Sequence, residues 1–596
     1  MAINAYSHYI GSMVREYRTL LPDLKRHKSR YIGGLVFLVI TDSSQLYLPQ
    51  LIKRAIDLIS LGEFTMSSMA AIAAQMTAVA TLIAFGRFFW RSFINGASRQ
   101  IEWELRNRMF QHLQKMSSTF YGRNKTGDLM AHMTNDVNAV RMATGIGFAL
   151  AVDGLIMAVS VLVIMLNLNS RMVIVSLSPL PILTIGVLFF TRIVGEQFKR
   201  VQDGFSSLSD MVQESFSGVR VLKTFVQEGA FSKKFADQNL EYSRRNLALV
   251  RSWGFFYPAV RLLTGTTTLL FILLGGRGVM EGTMSPGEFT AFFSYLQMLT
   301  WPLLGAGFTI NMIQRAAASL KRINKILDEK ADIASVAPRP HHRKAITGAI
   351  SFRNLIYTYP DTDGPVLNGI DIDIPAGHTI GILGKTGAGK STLVSLIPRI
   401  LDPPPGTVFI DNQDARLYHL DDLRSSISVV PQDSFLFSAT IRENIAFGAA
   451  DAPESHLRET TAISTIERDF KIFPDGWETV VGERGVTLSG GQKQRVSISR
   501  ALSSDSSIVI FDDALSSVDT ETEDNILSKL IPFLEGKTFL IVSHRISALK
   551  TADHIVVLGD GRIIQQGRHA DLLSEKGFYA EIYRLQELED SIRKGV

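Results

Sequence analysis

The chain has 596 residues, which is too long for one domain, and 46% of them are hydrophobic. Its mean hydropathy of +0.14 is high for a soluble protein and predicts a membrane part. The formal net charge of +5 does not by itself favour nucleic acid as a partner. The complete lack of cysteine excludes disulfides, thiolate metal sites and cysteine nucleophiles.

Residues 1–30 are predicted to form an amphipathic helix that lies on a membrane face, followed by a basic segment. Apolar side chains between Tyr6 and Leu24 recur at helical spacing, whereas charged residues such as Arg15 and Glu16 fall between them. No cleavable signal peptide is expected, because the N-terminus lacks a short apolar core followed by a small-residue cleavage site.

Residues 31–327 are predicted to be a transmembrane domain with six helices and two long cytoplasmic extensions. The spans are six apolar stretches near or above the roughly 20 residues that cross a bilayer. They are 31–58, 68–94, 144–168, 171–194, 253–276 and 288–313. Three of them contain an ionisable residue, Asp42, Asp153 or Arg261. These residues could line a substrate path, pair with one another or lie in a cytoplasmic extension of a helix. The sequence is compatible with all three, so no site is assigned to them.

Basic residues predict the orientation in the membrane. Lysine and arginine concentrate between spans two and three and between spans four and five, whereas Arg171 and Arg277 are the basic residues of the other connections. The positive-inside rule therefore places both termini and the two long connections in the cytoplasm. We expect a multi-pass membrane protein with the lipid bilayer as a partner.

A change of composition at 328–347, where Pro338 and Pro340 precede a run of basic residues, predicts a linker. From residue 348 to 596, strand-like and helical segments alternate, which is typical of an α/β domain with a largely parallel sheet. The predicted fold class is thus multidomain: an all-α six-helix transmembrane domain followed by an α/β phosphate-loop nucleotide-binding domain.

The stretch from Gly384 to Ser391 matches the phosphate-binding pattern G-x-x-x-x-G-K-[ST] between a predicted strand and a predicted helix. Its backbone N–H groups would surround phosphate oxygens, Lys390 would reach the β- and γ-phosphates, and the Ser391 hydroxyl would bind Mg²⁺. A glycine-rich turn with a chance lysine is disfavoured by the complete octet. The predicted nucleotide-binding residues are Gly384, Lys385, Thr386, Gly387, Ala388, Gly389, Lys390, Ser391 and Thr392.

Two further motifs support this site. The apolar strand 507–512 ends at Asp512, a position from which a carboxylate holds Mg²⁺ directly or through water. A second glycine pair precedes a predicted helix, whose N-terminal amides would bind another anion. That segment consists of Leu488, Ser489, Gly490, Gly491 and Gln492.

The region 350–590 resembles the nucleotide-binding domain of ABC transporters, and the six spans resemble the membrane domain of the exporter type. The resemblance implies ATP and Mg²⁺ as cofactors, Tyr359 as the residue that stacks on adenine, Gln432 as the Q-loop glutamine near Mg²⁺, and His544 as the switch histidine. It identifies Leu488–Gln492 as the signature and Val481–Gly485 as the exporter-specific loop before it. The D-loop is Ser516, Ser517, Val518 and Asp519.

In this family a complete site forms between the phosphate loop of one nucleotide-binding domain and the signature of another. The resemblance therefore implies a dimer of half-transporters with two ATP molecules at the interface. The reversals near 120–128 and 218–225 resemble coupling helices, although ordinary cytoplasmic helix turns would have a similar pattern.

One residue departs from the family pattern. Active members have glutamate after the strand aspartate to polarise the attacking water, whereas this chain has Asp513, which is one methylene shorter. Because phosphoryl transfer depends on positioning, we expect hydrolysis at this chain's own phosphate loop to be slow or absent. The intact signature would complete the partner's site, which favours a heterodimer over a homodimer. The retained His544 is evidence against this degeneracy.

The run 512–519 and the ending 577–586 look most like the MdlA-type halves of bacterial multidrug exporters. The resemblance implies an ATP-driven efflux pump half of the bacterial inner membrane that moves hydrophobic or amphipathic compounds, including drugs and lipids. A nucleotide-gated channel, an ATP-sensing subunit, a homodimer and an uptake transporter with the same fold remain alternatives. The six spans exclude a soluble ATPase that acts on DNA or ribosomes.

Overall fold

A computed structural model describes residues 15–178, 180–335, 345–360, 362, 364–482, 485 and 487–593. The part of the predicted amphipathic helix before residue 15 and the basic run of the linker lie outside the described residues. The chain forms two compact units. One holds residues up to Leu113 together with Gly127–Glu329, and the other holds Gln114–Thr126 together with the chain from Lys330 onward. The predicted domain limits, 1–30, 31–327, 328–347 and 348–596, stay predictions.

The first unit is built from helices, as the sequence predicts. A short 3₁₀ turn, Tyr17–Leu20, precedes them. The helices are α1 Leu21–Arg26, α2 Lys28–Ser60, α3 Met66–Leu113, α5 Thr126–Ala131, α6 Val137–Met142, α7 Phe148–Leu177, α8 Leu180–Ser217, α9 Val219–Thr224, α10 Glu228–Met280, α11 Pro286–Met298 and α12 Thr300–Asp328, while α4 Ser118–Arg123 belongs to the second unit. Two π-helical turns, His132–Asp136 and Ala143–Gly147, link α5 to α6 and α6 to α7 within the segment Thr126–Leu177.

Four helical segments among the described residues are long and apolar enough to cross a membrane: Lys28–Ser60, Met66–Leu113, Thr126–Leu177 and Glu228–Met280. The predicted fourth span is divided between the end of α7 and α8, and the predicted sixth span is divided between α11 and α12.

The predicted break between the third and fourth spans coincides with a kink in α7. Asn169 has extended backbone angles there, with φ −162° and ψ 100°. Its Oδ1 accepts a hydrogen bond from the N–H of Met172 at 3.1 Å and so caps the segment that follows.

Small residues let α2 and α3 approach closely. A Cβ on Gly34 would lie 2.5 Å from Cγ1 of Ile94, and a Cβ on Gly86 would lie 2.3 Å from the hydroxyl oxygen of Thr41. Lipid tails supply no hydrophobic driving force between helices, so membrane helices associate through such close packing.

Further along the first unit, Tyr295 is fully buried, and its hydroxyl donates to the carbonyl of Leu46 at 2.7 Å. Tyr295 therefore belongs to the packed core rather than to an exposed aromatic surface.

The second unit contains two sheets, which confirms the predicted α/β class. The strands are β1 Ile350–Tyr357, β2 Leu367–Ile374, β3 Thr379–Gly384, β4 Val408–Ile410, β5 Gln413–Asp414, β6 Ile427–Val430, β7 Ile508–Asp512, β8 Thr538–Val542, β9 His554–Gly559 and β10 Arg562–Gly567. One sheet has the order β2-β1-β4-β5 and is antiparallel, and the other has the order β10-β9-β3-β8-β7-β6. In the six-stranded sheet every pair is parallel except β9 with β10.

This unit also contains nine α-helices among its described residues after Lys330. They are α13 Lys390–Leu396, α14 Leu420–Ser425, α15 Ile441–Ala446, α16 Glu454–Ile463, α17 Gly490–Ser503, α18 Thr520–Phe533, α19 Ile546–Leu549, α20 His569–Ser574 and α21 Phe578–Arg593, with 3₁₀ turns at Ala415–Leu417, Ile466–Lys471 and Gly476–Glu478. Strands β3, β6, β7 and β8 are buried and parallel, so their carboxyl ends share one edge of the sheet. Ligands of open α/β sheets bind at this edge.

Candidate nucleotide site

The phosphate loop connects β3 to α13, as the sequence predicts for this motif. A Cβ on Gly384 would lie 2.5 Å from the carbonyl oxygen of Leu558, and one on Gly389, where φ is +93°, would lie 2.7 Å from Leu367. Gly387 has φ +85° and faces open space, so its backbone is free to contact a ligand. The buried Lys390 donates through Nζ to the carbonyls of Gly384 at 2.8 Å and Lys385 at 2.9 Å, which holds its ammonium over the loop.

The carboxylate at the end of β7 lies beside the start of α13. The Ser391 hydroxyl donates to Oδ1 of Asp512 at 3.0 Å. Burial raises the pKa of Asp512, and the Ser391 hydrogen bond and the charge of Lys390 oppose that effect. Hydroxyl and carboxylate oxygens are the hard donors that Mg²⁺ prefers, and a cation there would stabilise the ionised carboxylate. This residue pair therefore fits Mg²⁺.

Asp513 and His544 lie at the same edge. Asp513 follows β7 with a left-handed backbone (φ +51°), and its N–H donates to the carbonyl of Val542 at 3.0 Å. The half-buried His544 has a lowered pKa because of burial and the nearby charge of Lys390, while Asp513 and Asp512 act in the opposite direction. These interactions bring the predicted switch histidine, both aspartates and the loop lysine into one electrostatic group.

Tyr359 and Gln432 occupy the periphery. The half-buried Tyr359 shares a 3.0 Å hydrogen bond between its hydroxyl and that of Thr392, at the start of α13, and packs edge-on against Tyr357. Gln432 follows β6 and is exposed to solvent. Both positions are compatible with the roles that the resemblance implies, which stay predictions.

The signature begins α17 and contacts the D-loop of its own chain. Ser489 caps the helix by accepting from the N–H of Gln492, and the Gln492 side chain accepts in return from the N–H of Ser489. A Cβ on Gly491 would lie 3.0 Å from the carbonyl oxygen of Ser517, which explains the glycine. Ser489 and Gly490 are exposed at this N-terminus, where the capping box already uses the N–H groups of Ser489 and Gln492.

The D-loop ends where α18 begins. Asp519 caps α18 through a 2.9 Å hydrogen bond from the N–H of Thr522. Leu488 and Val518 are buried, whereas Ser516 and Ser517 are exposed. The exporter-specific loop before the signature lies partly outside the described residues, and its first residue, Val481, is buried.

The residues that hold the D-loop and the His544 loop in place were not predicted from the sequence. Gln494 donates to the Ser516 hydroxyl at 3.0 Å and accepts from the N–H of Ser517 at 2.9 Å. Arg545 donates to the Val518 carbonyl at 3.0 Å and binds the fully buried Glu523 at 2.5 Å. Only their positions in the chain could have indicated this role. Gln494 lies two residues after the signature, and Arg545 directly follows His544.

Two of the three intramembrane charges lie together. Asp42 is 1% exposed, and its carboxyl group interacts with that of Asp153 and with the charge of Arg87. Arg87 itself donates to Gln45 Oε1 at 3.2 Å. Asp42 and Asp153 therefore form a pair across α2 and α7, which was one of the alternatives for these residues.

The fold and site together define a membrane protein with one helical membrane region and one phosphate-loop ATP-binding unit. Residues 31–303 match the ABC transporter transmembrane region, and residues 367–516 match the ABC transporter family. The chain belongs to the ABC transporter family and is a half-transporter of the exporter type, in which ATP binding and hydrolysis are coupled to transport.

Curated relatives resemble the chain over nearly its whole length. It is 36% identical to the multidrug resistance-like ATP-binding protein MdlA of Escherichia coli over 95% of this chain and 96% of that one. It is 35% identical to the probable multidrug resistance ABC transporter ATP-binding/permease protein YheI of Bacillus subtilis, covering 95% and 96%, and 31% identical to an ATP-dependent lipid A-core flippase of Syntrophus aciditrophicus, covering 97% and 96%. The structure of a bacterial Atm1-family ABC exporter with ATP bound matches 94% of this chain and 98% of its own with a TM-score of 0.75 at 27% identity.

Proposed function

We propose that the chain is one half of a heterodimeric ATP-driven exporter that moves hydrophobic or amphipathic compounds out of a bacterial cell. The observation that carries the proposal is the combination of a fused membrane region with an ATP site whose catalytic position holds Asp513. The names of the relatives, multidrug resistance proteins and a lipid flippase, support drugs and lipids as the substrate class. The distribution of basic residues supports cytoplasmic termini, and the membrane we propose is the bacterial inner membrane.

In the proposed site, ATP lies on the phosphate loop with its adenine on Tyr359. Lys390 pairs with the β- and γ-phosphates, and Ser391, Asp512 and Gln432 would hold Mg²⁺, which supplies charge neutralisation between the phosphates when it is bound. Asp513 and His544 flank the position of the γ-phosphate. The segment Leu488–Gln492 acts on the nucleotide of the partner, and the proposed D-loop lies between the two sites.

Two observations support a partner subunit. The N-terminus of α17 is exposed at Ser489 and Gly490, and a helix N-terminus of this kind would bind an anion such as the partner's nucleotide. The tip between α8 and α10 presents a cluster of apolar side chains, with Phe216 75%, Phe225 69% and Val226 81% exposed. On the proposed cytoplasmic side no lipid would cover this tip, and exposed apolar patches of this kind mark protein interfaces.

Transport itself tests the proposed function. A hydrophobic fluorescent dye should accumulate in inverted membrane vesicles that contain the complex when ATP is added. In such vesicles the nucleotide sites, which we propose to be cytoplasmic, face the assay buffer. A non-hydrolysable ATP analogue should not support accumulation. Dye movement that equilibrates without concentrating, or an ion conductance opened by nucleotide alone, would contradict the pump and favour the channel or sensor.

The subunit content of the native complex tests the heterodimer. Purification through a tag on this chain alone should yield a second, related chain of similar size in a one-to-one ratio. The second chain is expected to carry glutamate after its strand aspartate, since one competent site is needed for turnover. Recovery of this chain alone, with ordinary rates of ATP hydrolysis, would refute both the heterodimer and the slow site.

A further inference from the structure

The C-terminal helix α21 contacts the nucleotide site at two points. At its first residue, the ring of Phe578 lies 5.7 Å from the ammonium of Lys385 in the phosphate loop. Two turns later, Gln586 reaches the loop that carries His544. Eight residues of helix rise about 12 Å, so α21 extends from one side of the site to the other.

The Gln586 side chain binds the His544 loop with both halves of its amide. Its Nε2 donates to the His544 carbonyl at 2.7 Å, and its Oε1 accepts from the N–H of Ile546 at 2.9 Å. These two backbone groups flank Arg545. A single side chain thus fixes the backbone on both sides of the residue that follows the histidine.

The opposite side of the same loop is fixed by the D-loop and α18. Arg545 donates to the Val518 carbonyl and binds Glu523, and the Ser547 hydroxyl donates to the other Glu523 oxygen at 2.8 Å. With Gln586 on one side and Glu523 on the other, the loop has little freedom to rotate. Helix α21 is itself anchored by the fully buried Tyr579, whose hydroxyl lies 2.7 Å from Nδ1 of His569.

We propose that Gln586 is a positioning residue for ATP hydrolysis, which acts by holding the backbone of His544 so that its imidazole faces the γ-phosphate. This inference rests on the role of His544 in the proposed function. An amide is required at this position because it must donate to a carbonyl and accept from an N–H at the same time. A carboxylate keeps the acceptor and loses the donor, and a thioether of similar length has no donor and only a weak acceptor.

The test compares Gln586→Met and Gln586→Glu with Glu587→Gln, an exposed neighbour on the same helix, in the full complex. Each is measured, with Asp513 and with Asp513→Glu, in a complex whose partner's catalytic glutamate has been changed to glutamine, so that only this chain's site turns over. We expect both Gln586 variants to lower kcat about tenfold, within the roughly hundredfold that a displacement near 1 Å can cost, with the KM for ATP changed less than about twofold. Glu587→Gln should leave both constants unchanged.

The split between kcat and KM separates positioning from a general structural role. A Gln586 variant that loses ATP binding, that raises KM at constant kcat or that keeps full kcat would overturn the proposal. A His544→Ala variant serves as the reference. If it keeps full activity, the proposed role of His544 fails, whereas a slow His544→Ala beside a normal Gln586→Met refutes the positioning role alone.

Discussion

Replacing Asp513 with glutamate is expected to raise ATP hydrolysis at this chain's own phosphate loop about ten- to a hundredfold. The longer side chain would bring the carboxylate closer to the attacking water, and errors of about 1 Å in such a position cost about a hundredfold. The backbone should tolerate the change, because the N–H of Asp513 remains bonded to the Val542 carbonyl. Glutamate at φ +51° is strained by at most about 1–2 kcal/mol, which a stable unit can absorb.

The measurement is phosphate release by the purified complex after the corresponding glutamate of the partner has been changed to glutamine, so that this chain's site alone turns over. Asp513→Asn is the matched control. If the Asp513 carboxylate contributes little to catalysis, Asp513→Asn should hydrolyse ATP at nearly the same slow rate as the natural chain. A wild-type site that already turns over at family rates, with a steep loss in Asp513→Asn, would mean that aspartate positions the water here.

Replacing Lys390 with methionine is expected to abolish dye transport even though this chain's site is slow. The ammonium of Lys390 is buried and held over the phosphate loop by the carbonyls of Gly384 and Lys385. Burial lowers the pKa of Lys390, which the charges of Asp513 and Asp512 oppose. Loss of charged hydrogen bonds worth about 1.5–3 kcal/mol each should weaken ATP binding about tenfold or more and prevent closure of the dimer.

Binding of a fluorescent ATP analogue and dye accumulation in inverted vesicles measure the two effects. Lys550→Met, the same change on the exposed surface of the unit, should alter neither. Transport at the normal rate in Lys390→Met would show that nucleotide at this chain's loop is not needed for the cycle. If the equivalent lysine of the partner is dispensable as well, the complex is not an ATP-driven pump.

The nucleotide site could be predicted where the residues that bind the nucleotide are neighbours in the chain. The phosphate loop is one octet whose glycines, lysine and serine serve one ligand, and the structure places it between β3 and α13. Asp512 was recognisable because a buried strand ends in a carboxylate. The kink at Asn169 likewise coincides with the predicted end of an apolar stretch, because a polar residue that caps the next segment interrupts the helix there.

Composition, hydropathy and local motifs therefore determined the class of the protein, the helical membrane part, the α/β part and the residues proposed to hold ATP. Tertiary structure alone decided which distant groups meet. It pairs Asp42 with Asp153 across two helices, sets Gly491 against the D-loop, and brings Gln586 to the His544 backbone from 42 residues away. Such contacts depend on how helices and strands pack, and a side chain that binds a backbone group leaves no pattern in its own neighbourhood of the chain.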